Sequence, residues 1–247
     1  MIVQKFGGVA TRNKEMRELC IHHIKRGIEQ HGKVVAVVSA MGRKGEPYST
    51  DSLLSITKSF CTSPEASDLV AACGELISSA VMSAELHAAG ITNEIAYGHR
   101  TGIFTDSNFT DADLLRVDAR KLKELFNEVD CVVVPGYQGV TLDQKFTTLG
   151  RGGSDLTAVV LCSVLNGKFV EFYKDVPGVM TEDPKFTKDV KKIDGLNYEQ
   201  FSDMLKMGST IIQKKAADFA EVYKIPLHIR SVYNEETGTW IPAKTEA

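Results

Sequence analysis

The segment Lys33-Val34-Val35-Ala36-Val37-Val38-Ser39 places five consecutive apolar residues between a lysine and a serine. Four of the five are valines, whose branched side chains favour extended backbone. An uninterrupted apolar run of this length is typical of a parallel strand that is covered on both faces. We therefore expect this segment to be a central strand of an α/β protein.

Similar apolar runs recur on both sides of this segment and alternate with helical patterns. The other predicted strands are Ile2–Phe6, Asn93–Tyr97, Cys131–Pro135, Lys168–Tyr173, Pro226–Ser231 and an edge at Thr239–Ile241. The predicted helices are 13–30, 67–89, 113–128, 155–165, 198–207 and 209–223. This alternation predicts an α/β sandwich with a largely parallel central sheet.

The composition excludes several classes of protein. The 247 residues carry 29 Lys and Arg against 32 Asp and Glu, and the resulting net charge of −3 argues against a protein that coats nucleic acid or anionic lipid. No stretch approaches the roughly 18 consecutive apolar residues of a membrane span, and no secretory signal is visible. The five cysteines form no C-x-x-C pair, which excludes a compact cysteine zinc site and favours a reducing cytoplasm.

A glycine pair follows the first predicted strand, in Lys5-Phe6-Gly7-Gly8. Such glycines let backbone N–H groups approach an anion closely, and a nearby lysine supplies a point charge for phosphate. A plain tight turn beside a solvated lysine fits the motif equally well.

The stretch Leu149-Gly150-Arg151-Gly152-Gly153-Ser154-Asp155 is more specific. We expect Ser154 or Asp155 to cap the following helix, whose amino end favours anions, and Arg151 to grip a carboxylate or phosphate through two N–H groups. An ordinary capped helix would not need three glycines. The stretch matches neither the Rossmann fingerprint nor the Walker A loop.

Three other features are open to two interpretations each. Glu75 is the only charged residue between Leu69 and Ala84, so it is either a structural ion-pair partner or the acceptor of a ligand's ammonium group. The polar loop 43–50 is a lid or a solvated surface loop. The loop 173–184 holds a nucleobase through extended backbone or is only a loop.

In their order along the chain, these segments resemble the amino acid kinase family, and within it the aspartokinases. The matching segments, which lie within residues 2–241, are Lys5–Gly8, Ser39–Gly42, Cys73–Glu75, Gly136–Gly139, Leu149–Asp155, Asp175–Pro184, Arg230–Ser231 and Gly238–Thr239. The resemblance implies a three-layer αβα sandwich around an eight-stranded, mainly parallel sheet. It further implies a single kinase domain over 1–247, with an acceptor-substrate lobe at about 1–165 and a nucleotide lobe at about 166–247.

The resemblance also implies a reaction, in which ATP phosphorylates the β-carboxylate of L-aspartate to give 4-phospho-L-aspartate for lysine, threonine, methionine and diaminopimelate synthesis. Lys5 would stabilise the transferring phosphoryl group, and Asp155 would organise that lysine. Arg151 would hold the α-carboxylate of aspartate, and Glu75 would take its α-ammonium group. The remaining implied contacts are Ser39, Thr50 and Ser154 for the substrate, Gly7 and Gly8 for the phosphates, and Lys174, Asp175, Met180 and Lys185 for the nucleotide.

Mg²⁺ would bridge phosphate oxygens in this reaction, and no metal-ligating residue is expected. We expect L-aspartate as the small-molecule partner, no nucleic acid, no membrane, and either a homodimer or a regulatory partner subunit. Aspartokinases commonly continue into paired ACT domains, and the sequence ends at Ala247 without them. We therefore expect no feedback inhibition through an attached ACT domain.

The sequence departs from the family pattern at three places. Val9 and Ala10 stand where the family has Thr-Ser, and Thr210 stands where it has a nucleotide-contacting lysine, for which Lys214 or Lys215 is a candidate replacement. Lys174 replaces a threonine and adds a positive charge. Two alternatives to an aspartate kinase therefore stay open, namely a related kinase with another acceptor and a catalytically weak homologue that binds ligand or pairs with an active subunit.

Overall fold

The computed structural model describes residues 1–60, 63–181 and 190–242. The strands of this part are β1 (Ile2–Phe6), β2 (Val34–Val38), β3 (Asn93–Ile95), β4 (Ile103–Thr105), β5 (Leu114–Val117), β6 (Cys131–Pro135), β7 (Gln138–Val140), β8 (Phe146–Thr148), β9 (Val170–Lys174), β10 (Leu227–Ser231) and β11 (Thr239–Ile241). The α-helices are α1 (Gly8–Thr11), α2 (Lys14–His31), α3 (Thr50–Thr57), α4 (Pro64–Ala88), α5 (Arg120–Leu125), α6 (Gly153–Val164), α7 (Tyr198–Lys206) and α8 (Lys214–Tyr223).

The central sheet has the strand order β11-β10-β9-β1-β2-β6-β3, and every neighbouring pair is parallel except β10 and β11. In this sheet β1 lies between β2 and β9, with Lys5 opposite both Val37 and Phe172. The described residues thus give seven strands where the resemblance implied eight. Strands β4, β5, β7 and β8 form a separate four-stranded sheet.

Alternating residues of the central strands pack into two apolar cores, one on each face of the sheet. Val35 and Val37 pack on the α6 and α8 side, and Val34, Ala36 and Val38 pack on the α2 and α4 side. Burial on both faces explains why these strands read as continuous apolar runs. The predicted three-layer αβα arrangement with a mainly parallel sheet is confirmed.

The bounds of two predicted helices differ most from those in the structure. The segment 113–128 was expected to be one helix, but β5 occupies its first part and pairs antiparallel with β4, which leaves only the short helix α5. The helix expected from Ser209 begins at Lys214, after a turn in which Gly208 has a φ of 106°. In both places pairing and turn geometry override the local helical pattern.

Helix α4 is the longest helix of the described residues, at 25 residues. By length and composition alone it could cross a membrane, but 50% of its most apolar window is buried within the fold. The helix packs against α3, β6 and β8. Its apolar character is therefore accounted for by the core that it helps to form.

Candidate active site

The candidate site lies at the carboxyl ends of β9, β1, β2 and β6, which are consecutive neighbours in the central sheet. From β1 the chain continues to β2, which pairs with one side of β1, and later returns to β9, which pairs with the other side. The strand order therefore reverses direction at β1. Open parallel sheets bind ligands in the crevice at such an edge. The structure brings Lys5, Ser39, Gly136 and Lys174 to it, each at or next to the end of its strand.

A buried ion cluster joins β1, β9 and α6 at this edge. The Nζ atom of Lys5 is 2.8 Å from Oδ1 of Asp155, and the Nζ atom of Lys174 is 3.7 Å from Oδ2 of the same carboxylate. The backbone N–H of Gln213 also donates to Oδ2, at 3.0 Å. Asp155 therefore holds two lysines from neighbouring strands in one place.

Burial and charge act in opposite directions within this cluster. Burial works to raise the pKa of Asp155, but Lys174, Lys5 and the Gln213 N–H together hold that pKa below its usual value. Burial lowers the pKa of Lys174 to about 8, although Asp155 opposes the shift. With both lysines protonated, the cluster has one positive charge more than its carboxylate neutralises.

In the glycine pair after β1, the second glycine is required by close approach of backbone. A Cβ atom on Gly8 would lie 2.4 Å from the carbonyl oxygen of Gly42, whose N–H donates to the Gly8 carbonyl at 2.8 Å. A Cβ atom on Gly7 would lie 3.6 Å from Nζ of Lys5, so this lysine sits over the turn. The turn therefore presents bare backbone beside an ammonium group, as an anion site needs.

The arginine-containing turn differs from the expected capped helix. Gly150 and Gly152 have φ values of 74° and 83°, and Gly152 is the residue that caps α6, without a side-chain hydrogen bond. The prediction that Ser154 or Asp155 caps the helix is wrong, because both residues lie inside its first turn and the Asp155 carboxylate instead faces Lys5 and Gln213. Arg151 is exposed at the tip of the turn.

Helix α4 brings Glu75 to the same edge from the opposite layer. The carboxylate is 2% exposed, and its Oε1 accepts a hydrogen bond from the backbone N–H of Ala40 at 3.1 Å. Its Oε2 is buried without a hydrogen-bond partner among the described residues. Burial raises the pKa of Glu75 to about 8. No ion pair of Glu75 is found within the described residues, which favours the ammonium-acceptor interpretation over a structural ion pair.

Of the three predicted hydroxyl residues, Ser39 and Ser154 lie at this edge. The backbone N–H of Ser39 donates to the Phe6 carbonyl at 3.0 Å, which ties the ends of β1 and β2 together. Ser154 is buried against Gly136, where an added Cβ would come within 2.7 Å of the serine Cβ. Thr50 is the first residue of α3, which Ser49 caps, at the end of the polar loop.

Of the four residues predicted to contact the nucleotide, the structure describes three. Lys174 belongs to the ion cluster, Asp175 pairs with Arg43 of the polar loop, and Met180 forms an isolated bridge with Lys192. Lys185 lies outside the described residues. The Arg43–Asp175 pair joins the polar loop to the segment that follows β9.

The candidate replacements for the lysine expected at position 210 carry acid partners of their own. Lys214 Nζ is 2.6 Å from Oδ2 of Asp218 on its own helix, and Lys215 Nζ is 2.8 Å from Oδ1 of Asp111. Thr210 is exposed. The structure therefore gives no support to replacement by either lysine.

Sequence reasoning did not single out Tyr137 or Asp68. Tyr137 has a φ of 71°, and burial raises the pKa of its phenol, with Glu75 and Asp68 acting in the same direction and Arg151 against it. Asp68 is buried on α4 and accepts hydrogen bonds from the N–H and the hydroxyl of Thr148, each at 2.8 Å. The only available signal was the position of Tyr137 in the stretch Gly136-Tyr137-Gln138-Gly139.

Known proteins resemble this chain in sequence. The sequence profile of the amino acid kinase family matches residues 1–231. The chain is 37% identical to Aspartokinase 1 of Bacillus subtilis over 98% of its length, and 33% identical to the aspartokinase of Geobacillus stearothermophilus over the same share. It spans 60% and 58% of those two proteins.

Solved structures show the same fold. Aspartate kinase from Synechocystis superposes with a TM-score of 0.85 at 30% identity, covering 99% of this chain and 40% of that one. UMP kinase from Bacillus anthracis superposes with a TM-score of 0.69 at 18% identity, covering 99% and 96%, and this likeness concerns the fold alone. Because the family profile matches nearly the whole chain and the fold is that of solved aspartate kinase, this chain belongs to the amino acid kinase family.

Proposed function

We propose that the chain is the kinase domain of an aspartokinase, which transfers the γ-phosphoryl group of ATP to the β-carboxylate of L-aspartate. The single observation that carries the proposal is Glu75, whose buried, unpartnered Oε2 lies at the same strand edge as the Lys5–Asp155–Lys174 cluster. An acid that accepts an ammonium group and a cluster that attracts phosphate are the two halves of an amino acid kinase site. The identity of 37% to an aspartokinase supports aspartate as the acceptor.

The acceptor half binds a zwitterion. Glu75 accepts the α-ammonium group, and this ion pair compensates the cost of burying its carboxylate. Arg151, exposed on the glycine turn, binds the α-carboxylate through two parallel N–H groups. The hydroxyl groups of Ser39, Thr50 and Ser154 complete the acceptor contacts.

The transfer half depends on position and charge. A β-carboxylate oxygen of aspartate attacks the γ-phosphorus, the bond to the bridging oxygen of ADP breaks, and negative charge spreads over the transferring group. Lys5 neutralises this charge, and Asp155 fixes the ammonium group of Lys5 where it is needed. The N–H groups of Gly7 and Gly8 bind the phosphate oxygens.

The proposed nucleotide contacts are Lys174, at the end of β9, and Asp175, Met180 and Lys185, which follow it in the sequence. Among residues 1–60, 63–181 and 190–242, no three His, Cys, Asp or Glu side chains gather as a metal site. Phosphate oxygens are the natural ligands for Mg²⁺, which neutralises phosphate charge during transfer. We therefore place the ion on ATP instead of on a protein carboxylate cage.

The test is an assay of ADP release with MgATP and a panel of amino acids, run beside trapping of the acyl phosphate with hydroxylamine. We expect turnover and hydroxamate formation with L-aspartate. Turnover only with another acceptor would identify a related kinase, and no turnover with any acceptor would identify a weak homologue. Either result would refute the proposal. Succinate, which lacks the ammonium group, is the matched control and should be a poor acceptor.

A further inference from the structure

The glycine turn that carries Arg151 is held from outside by a residue at the start of α8. Gln213 precedes this helix, and its side-chain Nε2 donates a hydrogen bond to the backbone carbonyl of Arg151 at 2.9 Å. We propose that Gln213 is a positioning residue, which fixes this turn so that the Arg151 guanidinium meets the α-carboxylate of the acceptor. The inference deepens the proposed function and rests on it for the identity of the acceptor.

The side chain of Gln213 does not cap its own helix. Gln213 is the N-cap residue of α8, a position where side chains commonly accept a hydrogen bond from the first N–H groups of the helix. Among the described residues it makes no such bond, and its Oε1 is buried there without a partner. A buried oxygen without a partner costs stability. Stabilisation of α8 therefore does not explain why the amide turns toward Arg151.

The turn itself has few restraints on its backbone. Gly150 and Gly152 both have positive φ values, and glycine samples such conformations freely. A Cβ atom added to Gly152 would lie 3.0 Å from Cβ of Gln213, so the turn also packs against this side chain. The hydrogen bond from Gln213 thus adds a restraint at the residue that carries the guanidinium.

The same residue joins the turn to the transfer half of the site. The backbone N–H of Gln213 donates to Oδ2 of Asp155 at 3.0 Å, and Oδ1 of Asp155 is 2.8 Å from Nζ of Lys5. Two hydrogen bonds of one residue therefore reach the carbonyl of Arg151 and the carboxylate that fixes Lys5. Gln213 sets the position of the acceptor-binding cation relative to the lysine that neutralises the transferring group.

A second contact of α8 with this region is weaker. Lys215 Nζ is 2.8 Å from Oδ1 of Asp111, and a Cβ atom added to Gly150 would collide with the same carboxylate. The side chains of Lys215 and Asp111 are 48% and 62% exposed, and solvent screens a pair of this kind. Gln213 is therefore the α8 residue whose change should affect the turn most.

The main experiment is steady-state kinetics with aspartate and MgATP on Gln213→Met and Gln213→Ala. Methionine keeps the length of the side chain and its packing against Gly152 but cannot donate a hydrogen bond, whereas alanine removes both. Each variant should raise the KM for aspartate by about threefold to tenfold, the range for one neutral hydrogen bond, and leave kcat and the KM for ATP within about twofold. A rise confined to Gln213→Ala would mean that Gln213 only fills space, which overturns the proposal.

The matched control is Asp218→Asn. This change breaks a half-exposed pair with Lys214 on the same helix and leaves Gln213 in place. Its KM for aspartate should equal that of the wild type. A rise as large as that of Gln213→Met would show that any change in α8 has this effect and would remove the special role of Gln213.

Two analogues of aspartate separate an effect through Arg151 from a general disturbance of the site. Succinate keeps the α-carboxylate and lacks the ammonium group, whereas β-alanine keeps the ammonium group and lacks the α-carboxylate. In Gln213→Met, the inhibition constant of succinate against aspartate should rise by the same factor as the KM for aspartate, and that of β-alanine should stay within about twofold. An equal rise for both analogues would contradict the proposal.

Hydrogen–deuterium exchange tests the contact without any substrate. The amides of a peptide that covers residues 149–155 should exchange about threefold to tenfold faster in Gln213→Met than in the wild type, while peptides from β1 and β2 should not change. Equal exchange of the 149–155 peptide in the two proteins would sink the proposal. Because no acceptor is present, this result is independent of the proposed function, whose own failure would show as wild-type protein that does not phosphorylate aspartate.

Discussion

Two buried carboxylates, Asp155 and Glu171, lie on opposite faces of the central sheet and differ in what surrounds them. Glu171 accepts hydrogen bonds from Gln4 at 2.8 Å, from the Tyr173 hydroxyl at 3.0 Å and from Arg230 at 3.0 Å. Asp155 instead faces two lysines at the open end of the strands. Although both carboxylates are buried, only one has partners that can turn toward a ligand.

The partners of Glu171 are fixed by their own packing. The Tyr173 ring stacks on Phe6 with 4.9 Å between centroids, and His228, whose Nδ1 lies 3.4 Å from Oε1 of Glu171, stacks on Trp240 at 4.0 Å. Burial works to raise the pKa of Glu171, but the hydrogen bonds and Arg230 hold it at about 2. Glu171 is thus held by partners packed inside the fold, whereas Asp155 is shared by two lysines at the open end of the strands.

The largest expected effect is the loss of turnover in Lys5→Ala. Removal of one preorganised cation should lower kcat by about 10²- to 10³-fold, or about 3–4 kcal/mol of barrier. Aspartate binding should change little, because the acceptor contacts lie on other residues. A hydroxamate assay together with calorimetric titration of aspartate measures both quantities, and normal turnover would remove Lys5 from the mechanism.

The opposite behaviour is expected of Glu171→Gln. This change leaves the Arg230 guanidinium buried without a counter-charge, so the free energy of unfolding should fall by about 3 kcal/mol. The kcat per folded molecule should stay near the wild-type value. Urea unfolding followed by circular dichroism tests the stability, and Asp203→Asn, which breaks only an exposed pair with Lys206, is the control. If the free energy of unfolding of Glu171→Gln equals that of the control, the Glu171 cluster does not stabilise the fold as proposed.

The pH dependence of aspartate binding should follow the ionisation of the Glu75 carboxyl group. Because its pKa is raised to about 8, the free protein holds Glu75 protonated at pH 7, and the ammonium group of aspartate requires the ionised form. Aspartate affinity should therefore rise by up to about tenfold per pH unit between pH 6 and 8. Glu75→Gln should bind aspartate weakly and without this slope.

The same group has an effect of opposite sign on the stability of the free protein. Between the ordinary pKa of 4.5 and the folded value of about 8, the folded state binds more protons at Glu75 than the unfolded state does. The contribution of Glu75 to stability is therefore full below about pH 4.5 and is lost as the pH rises toward 8. Comparing thermal unfolding of the wild type and Glu75→Gln across this range isolates the contribution.

The smallest effect is expected for Arg43→Ala. The side chains of Arg43 and Asp175 are 63% and 41% exposed, and solvent screens a pair of this kind. The KM for ATP should change by less than about threefold, with stability unaltered. A larger rise in KM, measured at fixed ionic strength, would mean that the polar loop contributes to nucleotide binding beyond this ion pair.

Much of the fold could be predicted because apolar runs report burial directly. The run at Val34–Val38 predicted its own strand, and the glycine turns predicted where backbone approaches a ligand or another loop. Residues 114–117 were predicted to be helical because their pairing with β4, which precedes them by only eight residues, leaves no trace in the local apolar pattern.

The candidate site was predicted less completely, for a similar reason. The family resemblance pointed to Lys5, Asp155 and Glu75, but the meeting of Lys174 with Asp155 depends on the alignment of β9 beside β1. The Glu171 cluster was not foreseen, since its members come from β1, β9 and β10. Side-chain contacts between parallel strands can be predicted only when the order of the strands in the sheet is known.

Helix α4 has a consequence for the synthesis of this protein. Its packing partners β6 and β8 follow it in the chain, the latter ending at Thr148. The ribosome must therefore add about sixty residues after Ala88 before both of these partners can cover the helix. During that interval the nascent chain exposes an apolar surface that can bind chaperones, associate with other unfolded chains or enter a membrane-insertion apparatus. Slow translation through residues 89–148 should therefore lower the yield of folded protein.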